Sequence, residues 1–113
     1  MEGRKTPLYD RHVAAGGKIV PFAGWLLPVQ YSGVIAEPRA VRAACGLCDV
    51  SHMGELVLRG TDALVNVNNL MTNDFSGMAD GQARYSPMCY EDGGVVDDLI
   101  VYKVREGAYL VVV

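Results

Sequence analysis

The stretch EDGGVVDDLIVY, residues 91–102, decides the fold of the second half of the chain, because a turn signal precedes a β-branched run. An Asp-Gly pair between alternating apolar residues is typical of a two-residue hairpin turn. Closure at Asp92–Gly93 places Asp98 opposite Pro87 on the preceding strand, and a four-residue loop gives the same register. The stretch therefore predicts an antiparallel hairpin of defined register.

This register determines which side chains share a face of the hairpin, since side chains alternate along a strand. Tyr85 lies opposite Ile100, and Asp97 lies on the face opposite to that of Asp98. A buried strand normally excludes aspartate, because an ionised carboxylate is costly to remove from water unless it is paired. One face is predicted to carry Tyr85, Asp98, Ile100 and Tyr102.

A carboxylate framed by two tyrosines has a chemical use. In partly apolar surroundings the pKa of a carboxyl group rises, so it can hydrogen-bond to a bound amine or accept its proton. Aromatic rings supply a stacking wall for a flat heterocycle. The alternative is structural, with both aspartates at the wet end of the strand. The residue pattern alone leaves this choice open.

The rest of the chain shows strand and helix signals that predict an α+β domain with an antiparallel sheet and two short helices. Apolar residues punctuated by Gly and Pro at 16–33 indicate short strands in a covered loop. A helix is expected over Ile35–Cys45, with Pro38 tolerated in its first turn. The sequence then predicts a strand at 54–60, a helix capped by Thr61, a loop at 72–82 and strands at 83–90, 95–104 and 108–113.

Composition excludes several classes of protein. The 113 residues are 50% hydrophobic and 20% charged, as expected for one globular domain. A net charge of −3 without a Lys/Arg cluster argues against a nucleic-acid partner. The chain has no apolar run near the roughly 20 residues that span a bilayer, which argues against a membrane partner. The first residues, MEGRKTPLYD, lack the apolar core of a secretory signal, so we expect a cytoplasmic protein.

The last residues, GAYLVVV, stop inside an apolar β-branched run, whereas domains usually end in polar residues. We therefore expect a domain that is truncated at its C-terminal end. A terminal strand without a partner exposes backbone hydrogen-bonding groups, which favours edge pairing between copies. The sequence thus predicts self-association.

Four blocks give the chain a family resemblance. In order and spacing, it resembles the N-terminal part of aminomethyltransferase, the T-protein of the glycine cleavage system. The blocks are KTPLYDRHVAAGGKIVPFAGWLLPVQYSG, LCDVSHMGE, LMTND and EDGGVVDDLIVY. The resemblance covers essentially the whole chain, and it implies that residues 1–113 are the N-terminal part of a folate-binding domain.

The resemblance implies a reaction. T-proteins take the aminomethyl group carried on the lipoyl arm of the H-protein, release ammonia, and pass the one-carbon unit to tetrahydrofolate, which becomes 5,10-methylenetetrahydrofolate. Tetrahydrofolate is then the co-substrate and the lipoylated H-protein the partner. Family members are several times longer than this chain, so we expect the 113 residues alone to be inactive.

The resemblance also assigns site residues. The catalytic carboxylate of the family, the second Asp of the DDLI block, falls on Asp98, where an anion would stabilise developing positive charge. Met53, Tyr85 and Tyr102 match positions that line the folate pocket. Asp97 is left with a structural role, such as a turn hydrogen bond. No metal is implied.

Two alternatives remain. The first is a related folate-binding protein, either the demethylating domain of dimethylglycine or sarcosine dehydrogenase or an iron–sulfur assembly protein. The second rests on Cys45-Gly-Leu-Cys48 with His52 four residues on, a spacing that suits a redox pair or a partial zinc site. A zinc site would need Cys89 or His12 as its fourth ligand. Family members usually carry a small residue and a Phe at the first two cysteine positions, which indicates packing substitutions instead.

Overall fold

The computed structural model describes residues 2–113, which divide into two compact units, one ending at His52 and one covering Met53–Val113. Short helices are combined with sheets whose strand pairs are antiparallel with one exception, so the predicted α+β class is confirmed. The elements are β1 (Arg4–Lys5), α1 (Tyr9–Ala14), β2 (Lys18–Phe22), β3 (Trp25–Gln30), α2 (Ala36–Ala43), β4 (Glu55–Arg59), α3 (Ala63–Leu70), β5 (Ala83–Cys89), β6 (Val95–Arg105) and β7 (Ala108–Val112).

The three helices differ in how well the sequence predicts them. Six-residue α1 was not expected, since it is too short to show a clear apolar period. The expected helix with Pro38 in its first turn is α2. The predicted cap of α3 is wrong, because the N-cap position is Asp62 instead of Thr61 and its side chain makes no capping hydrogen bond. Within residues 2–113, none of the helices has the length and apolar character to cross a membrane.

The N-terminal unit holds a three-stranded sheet in the order β1-β3-β2. Strands β2 and β3 form an antiparallel hairpin, which confirms the short strands expected at 16–33. The two residues between them, Ala23 and Gly24, have φ values of 46° and 81°. Positive φ at both central residues suits the twist of a tight hairpin. Leu26 on β3 is the buried anchor of this sheet, at 4% exposure.

The C-terminal unit holds a four-stranded sheet in the order β4-β7-β6-β5. The last strand, β7, is hydrogen-bonded on both sides, as Val111 pairs with Leu56 of β4 and Val101 of β6. The prediction that this terminal strand lacks a partner is therefore wrong. Its β-branched, apolar sequence reflects an interior place in the sheet, where both strand edges are paired and one face is buried.

The core of the C-terminal unit lies on one face of this sheet. Helix α3 and the loop that follows it cover that face, and the loop contributes its own apolar side chains. The opposite face is left open to solvent. The buried cluster consists of Ala63, Val67, Phe75, Met78, Leu99, Val101, Tyr109 and Val111.

The hairpin between β5 and β6 reaches the predicted register by a different route. The backbone N–H groups of Tyr90 and Gly93 donate to the carbonyls of Gly94 and Tyr90, at 2.8 and 3.0 Å, which closes a three-residue loop instead of the expected two-residue turn. Gly93 has a φ of 85°, as a loop of this length requires. A three-residue loop shifts the strand pairing by one residue. A bulge on β6 restores the predicted pairing, with Val96 as the extra residue between the Cys89–Val95 and Met88–Asp97 pairs.

Candidate functional site

The outward face of the β5–β6 hairpin carries three of the four predicted site residues, Tyr85, Asp98 and Tyr102. Pro87 pairs with Asp98 and Tyr85 with Ile100, so the predicted register is confirmed. Because side chains alternate, Leu99 points to the core, where it is 2% exposed, and Asp98 points away from the core. The face shared by Tyr85, Asp98, Ile100 and Tyr102 is therefore present in the folded chain.

Tyr85 and Asp98 are in direct contact on this face. The Tyr85 hydroxyl donates a hydrogen bond to Oδ2 of Asp98 at 3.2 Å. Desolvation raises the pKa of Tyr85 above its usual range, and the charge and hydrogen bond of Asp98 raise it further. Tyr85 is therefore a phenol at neutral pH, and it leaves Oδ1 of Asp98 able to accept a hydrogen bond from a bound molecule.

The surroundings of Asp98 differ from those expected. The sequence predicted partly apolar surroundings, yet Asp98 is exposed. Asp98 precedes Ile100 by two residues on β6. At this end of the sheet, the pair of Ile100 with Val112 is the last one between β6 and β7. The carboxylate thus stands at the end of the sheet, flanked by β5 on one side. A ligand stacked on this face would supply the missing apolar surroundings.

Tyr102 lies farther from the carboxylate than the predicted frame of two tyrosines implied. It follows Asp98 by four positions on β6, which is about 13 Å along an extended strand. Ile100 lies between them and Tyr102 is 37% exposed. The structure therefore brings Tyr85 to Asp98 and places Tyr102 at the other end of an apolar strip.

Met53 lies at the same end of the sheet as Asp98. The backbone of Gly54 exchanges hydrogen bonds with Val113, at 2.7 and 2.9 Å, which extends the β4–β7 ladder by one pair. Met53 precedes this pair, and on β6 Asp98 lies beyond Ile100, the partner of Val112. Met53 and Asp98 are therefore separated by about two strand spacings, or roughly 10 Å, a distance that one flat heterocycle can bridge.

Asp97 has the structural contact that was expected of it. Its Oδ1 accepts a hydrogen bond from the backbone N–H of Asp98 at 2.8 Å. The side chain lies on the α3 side of the sheet, opposite Met88, and is exposed at the strand end. The two neighbouring carboxylates therefore differ in their contacts. Asp97 accepts a backbone hydrogen bond, and Asp98 faces outward.

A set of polar contacts that the sequence did not reveal holds β5 behind Tyr85. The amide of Asn73 donates to the carbonyl of Tyr85 at 3.0 Å. The fully buried hydroxyl of Ser86 accepts from the backbone N–H of Asn73 at 3.0 Å and lies 3.2 Å from the hydroxyl of Thr72. Arg84 donates to two carbonyls of the same loop, at 2.7 and 3.0 Å. These bonds fix the strand that carries the phenol.

The cysteines do not behave as packing residues. Cys45 and Cys48 are exposed and Cys89 is partly buried, and all three are free thiols. No cluster of three or more metal-ligating side chains occurs within residues 2–113. His12 is one of the candidate fourth ligands, but both of its ring nitrogens already take part in hydrogen bonds with other side chains. The structure therefore gives the zinc alternative no support.

A second polar cluster lies in the N-terminal unit, around Asp49. Its Oδ2 lies 2.7 Å from Nε2 of His12 and accepts a hydrogen bond from Thr6 at 2.9 Å. Its Oδ1 accepts from the backbone and hydroxyl of Ser51. The hydrogen bond to His12, and then those from Ser51, hold the pKa of Asp49 far below its usual range. Ser51 is a local partner, but Thr6 and His12 lie far from Asp49 in the sequence, so no local motif could have revealed those two contacts.

Comparison with protein families gives a match over most of the chain. A family model described as the GCVT N-terminal domain matches residues 8–113. That range contains both the β5–β6 hairpin and the Asp49 cluster apart from Thr6.

Curated relatives and a solved structure agree with this match. The aminomethyltransferase of Moorella thermoacetica is 59% identical over 110 residues, which are 97% of this chain and 30% of that protein. The aminomethyltransferase of Desulforamulus reducens is 56% identical over 113 residues, 100% of this chain and 31% of that protein. The crystal structure of glycine cleavage system aminomethyltransferase T from Bartonella henselae is 36% identical, with a TM-score of 0.82 over 96% of this chain and 30% of that one. The chain thus spans about 30% of the length of these relatives.

Proposed function

Because this chain belongs to the family of the GCVT N-terminal domain, we propose that it acts as part of an aminomethyltransferase of glycine cleavage. In this reaction the one-carbon unit passes from the aminomethyl-lipoyl arm of the H-protein to tetrahydrofolate. Ammonia is released and 5,10-methylenetetrahydrofolate is formed. The lipoylated H-protein is the proposed partner, tetrahydrofolate is the proposed co-substrate, and the cytoplasm is the proposed location.

The observation that carries the proposal is the contact between Tyr85 and Asp98 on an open sheet face. A pterin is flat, carries N–H donors and needs both a wall to stack on and an acceptor at its edge. Tyr85, Tyr102 and Met53 offer aromatic and thioether surface, and Asp98 offers the acceptor. The residue types on this face therefore fit the ring system of tetrahydrofolate.

Asp98 is the proposed catalytic residue. Transfer of an aminomethyl carbon to an amine, with loss of ammonia, develops positive charge at the reacting atoms, and a fixed anion stabilises that charge. The free carboxylate oxygen would also orient the ring by accepting a hydrogen bond from it. The phenol of Tyr85 keeps the carboxylate in place, because it donates to Oδ2 and leaves Oδ1 for the ligand.

The proposed activity requires more protein than this chain. We propose that residues 1–113 form the N-terminal part of the folate-binding domain and that they are inactive alone. The support is that the chain covers about 30% of its curated relatives and that Asp98 is exposed. A charge in water stabilises a transition state far less than the same charge in a site that excludes water.

Self-association of the chain is also proposed, on a different argument from the one that the sequence suggested. Strand β7 is paired on both sides, so its own backbone groups do not drive association. The outward face instead carries an apolar row across three strands, where Leu110 pairs with Val57 and Tyr102. Val57 is 54% exposed. Light scattering tests this, since a monodisperse monomer would contradict it.

Calorimetric titration of 5-formyltetrahydrofolate, a stable analogue, tests the proposed folate site. It should be done on the 113-residue chain and on the full-length protein, with Asp98→Asn and Asp97→Asn as a matched pair. Both substitutions remove one carboxylate from β6, but only the first removes the outward-facing acceptor. We expect the full-length protein to bind and Asp98→Asn to weaken binding by about tenfold or more, as loss of a charged hydrogen bond implies.

The controls separate the possible failures. If Asp97→Asn weakens binding as much as Asp98→Asn, the outward face is not the site. If the full-length protein ignores the analogue, the folate-dependent function itself is wrong. Activity of the 113-residue chain with aminomethyl-lipoyl H-protein would contradict the proposal that it is inactive alone.

A further inference from the structure

Three side chains from different parts of the N-terminal unit form a continuous hydrogen-bonded row. The Tyr31 hydroxyl lies 2.5 Å from Nδ1 of His12, and Nε2 of the same ring lies 2.7 Å from Oδ2 of Asp49. The inner members are shielded from solvent, with 11% of the His12 side chain and 4% of the Asp49 side chain exposed. Tyr31, in contrast, is 43% exposed. The row therefore runs from a buried carboxylate to an accessible phenol.

The chemistry of the buried end sets the direction of the hydrogen bonds. Asp49 is ionised at neutral pH, because its hydrogen bonds hold its pKa far below the usual range. An ionised carboxylate only accepts, so Nε2 of His12 must be the donor. In the neutral ring Nδ1 then carries a lone pair, and it accepts a hydrogen bond from the Tyr31 hydroxyl. The phenol oxygen is left with its lone pairs directed away from the ring.

Tyr31, His12 and Asp49 line a cavity of about 640 Å³ in the same unit. Apolar side chains, including Leu8, Leu27 and Leu47, form most of its wall. The charged or titratable side chains that line it besides the row itself are Arg11, Glu37 and Cys48. A cavity of this size and lining can hold the body of a small apolar molecule next to the phenol.

Close packing fixes the ring of Tyr31 in this position. A Cβ atom added at Gly17 would lie 2.9 Å from Cε1 of Tyr31 and 2.9 Å from the carbonyl oxygen of His12. Only a glycine allows the aromatic ring and the end of α1 to approach each other this closely. The geometry of the row is therefore built into the backbone and does not depend on the hydroxyl hydrogen bond alone.

We propose that Tyr31 is a nucleophilic phenol, activated by His12 and Asp49, that reacts with apolar molecules carrying an acyl or sulfonyl electrophile. In this arrangement Tyr31 is the nucleophile, His12 is the base that takes its proton, and Asp49 orients the base. This inference is independent of the proposed folate site, whose residues lie in the other unit.

The step balances without any further reactant. With an aryl sulfonyl fluoride, the Tyr31 oxygen forms a bond to sulfur, the sulfur–fluorine bond breaks, and fluoride leaves. The phenolic proton passes to Nδ1 of His12, which becomes an imidazolium beside the anionic Asp49. The proton is later lost to solvent, and the product is a sulfonate ester of Tyr31. Neither oxidation nor reduction occurs.

The base is necessary because the phenol does not ionise by itself at neutral pH. Desolvation, and then the negative charges of Asp49 and Glu37, raise the pKa of Tyr31 above its usual range. Reactivity near neutral pH therefore requires that His12 take the proton during attack. An exposed tyrosine without such a partner reacts only through its small phenolate fraction. Tyr90, which is 63% exposed, supplies that comparison in the same chain.

The experiment is labelling with an aryl sulfonyl fluoride at pH 7.5, followed by peptide mass spectrometry. Tyr31 is expected to be labelled at least about tenfold faster than Tyr90, since general base catalysis commonly contributes that much or more. Asp49→Asn should remove most of this difference. Thr6→Val is the matched control, because it removes another hydrogen bond to Oδ2 of Asp49 but leaves the row intact.

Equal labelling of Tyr31 and Tyr90 in the unsubstituted protein would overturn the proposal, whatever the variants do. So would equal losses in Asp49→Asn and Thr6→Val, which would assign the cluster a structural role only. If Asp49→Asn fails to fold, the pH profile of the unsubstituted protein decides. Base-assisted labelling should gain little as the pH rises above 7.5, because it does not depend on the phenolate fraction. Labelling that keeps rising toward about pH 10 indicates simple phenolate reactivity and contradicts the proposal.

Discussion

Tyr85 donates its hydroxyl hydrogen to Asp98 across a diagonal of the β5–β6 ladder, since Tyr85 pairs with Ile100 and Asp98 with Pro87. The contact joins the side chains of two strands at the open end of the sheet. Removing the charge of Asp98 removes one of the causes that raise the pKa of Tyr85. We therefore expect Asp98→Asn to lower the Tyr85 pKa, as followed by carbon NMR of the tyrosine ring. The same titration of Asp97→Asn should leave it unchanged, and an equal fall in both variants would contradict the contact.

Low pH is expected to lower the free energy of unfolding of the N-terminal unit, because Asp49 becomes protonated. A carboxyl group whose pKa is lowered by folding adds stability above its unfolded pKa of about 4, and this contribution is lost as the pH falls from there toward the folded pKa. Asp49→Asn is thus expected to be less stable than the unsubstituted protein at pH 7, with a difference that shrinks below about pH 4. Urea unfolding at several pH values measures this. Asp10→Asn, which removes an exposed carboxylate from α1, is the control for the loss of one negative charge.

Phe75 should be among the most sensitive positions in the C-terminal unit. It lies in the loop after α3, yet it is fully buried in the core cluster. Truncation of a buried phenylalanine costs about 3–5 kcal/mol, because both transfer energy and packing are lost. We expect Phe75→Ala to lower the free energy of unfolding by that amount, measured by urea denaturation. Phe22→Ala, at a site that is 61% exposed, is the control and should cost far less.

The hairpin loop depends on Gly93 for a conformational reason alone. A Cβ atom there would meet nothing within 4 Å, but the φ of 85° lies in the left-handed region. Gly93→Ala should therefore cost about 1–2 kcal/mol of stability. Gly93→Asn should recover part of this, since asparagine tolerates positive φ better. Thermal unfolding of the two variants tests this, and equal losses would mean that side-chain contact is the cause.

The hairpin also shows how far the sequence could predict the fold. Closure at the Asp-Gly turn predicted the pairing of Tyr85 with Ile100, and that prediction is confirmed. The predicted two-residue turn was one residue too short, and the bulge at Val96 restores the register. Alternation of apolar residues reports which face is buried, and it does not reveal how a loop and a bulge share the intervening residues.

Two other features had no local signal. The place of β7 between β4 and β6 depends on which strands meet in space, and an apolar run at the end of the sequence does not reveal that. The row likewise joins segments that are distant in the sequence, since Tyr31 follows β3, His12 lies on α1 and Asp49 lies in the loop before β4. Of the candidate site, the contact of Tyr85 with Asp98 followed from strand register. The distance of Tyr102 did not, because a shared face says nothing about separation along it.

The interior place of β7 has a consequence for the order in which the sheet is assembled. The β5–β6 hairpin closes through a short local loop and can form early, whereas β4 hydrogen-bonds to β7, with Glu55 meeting Val112. Such distant pairing is slow, since the chain between must first be ordered. During synthesis β4 therefore emerges long before its neighbour exists. Until β7 arrives, a nascent chain exposes an apolar strand that is a ready substrate for chaperones.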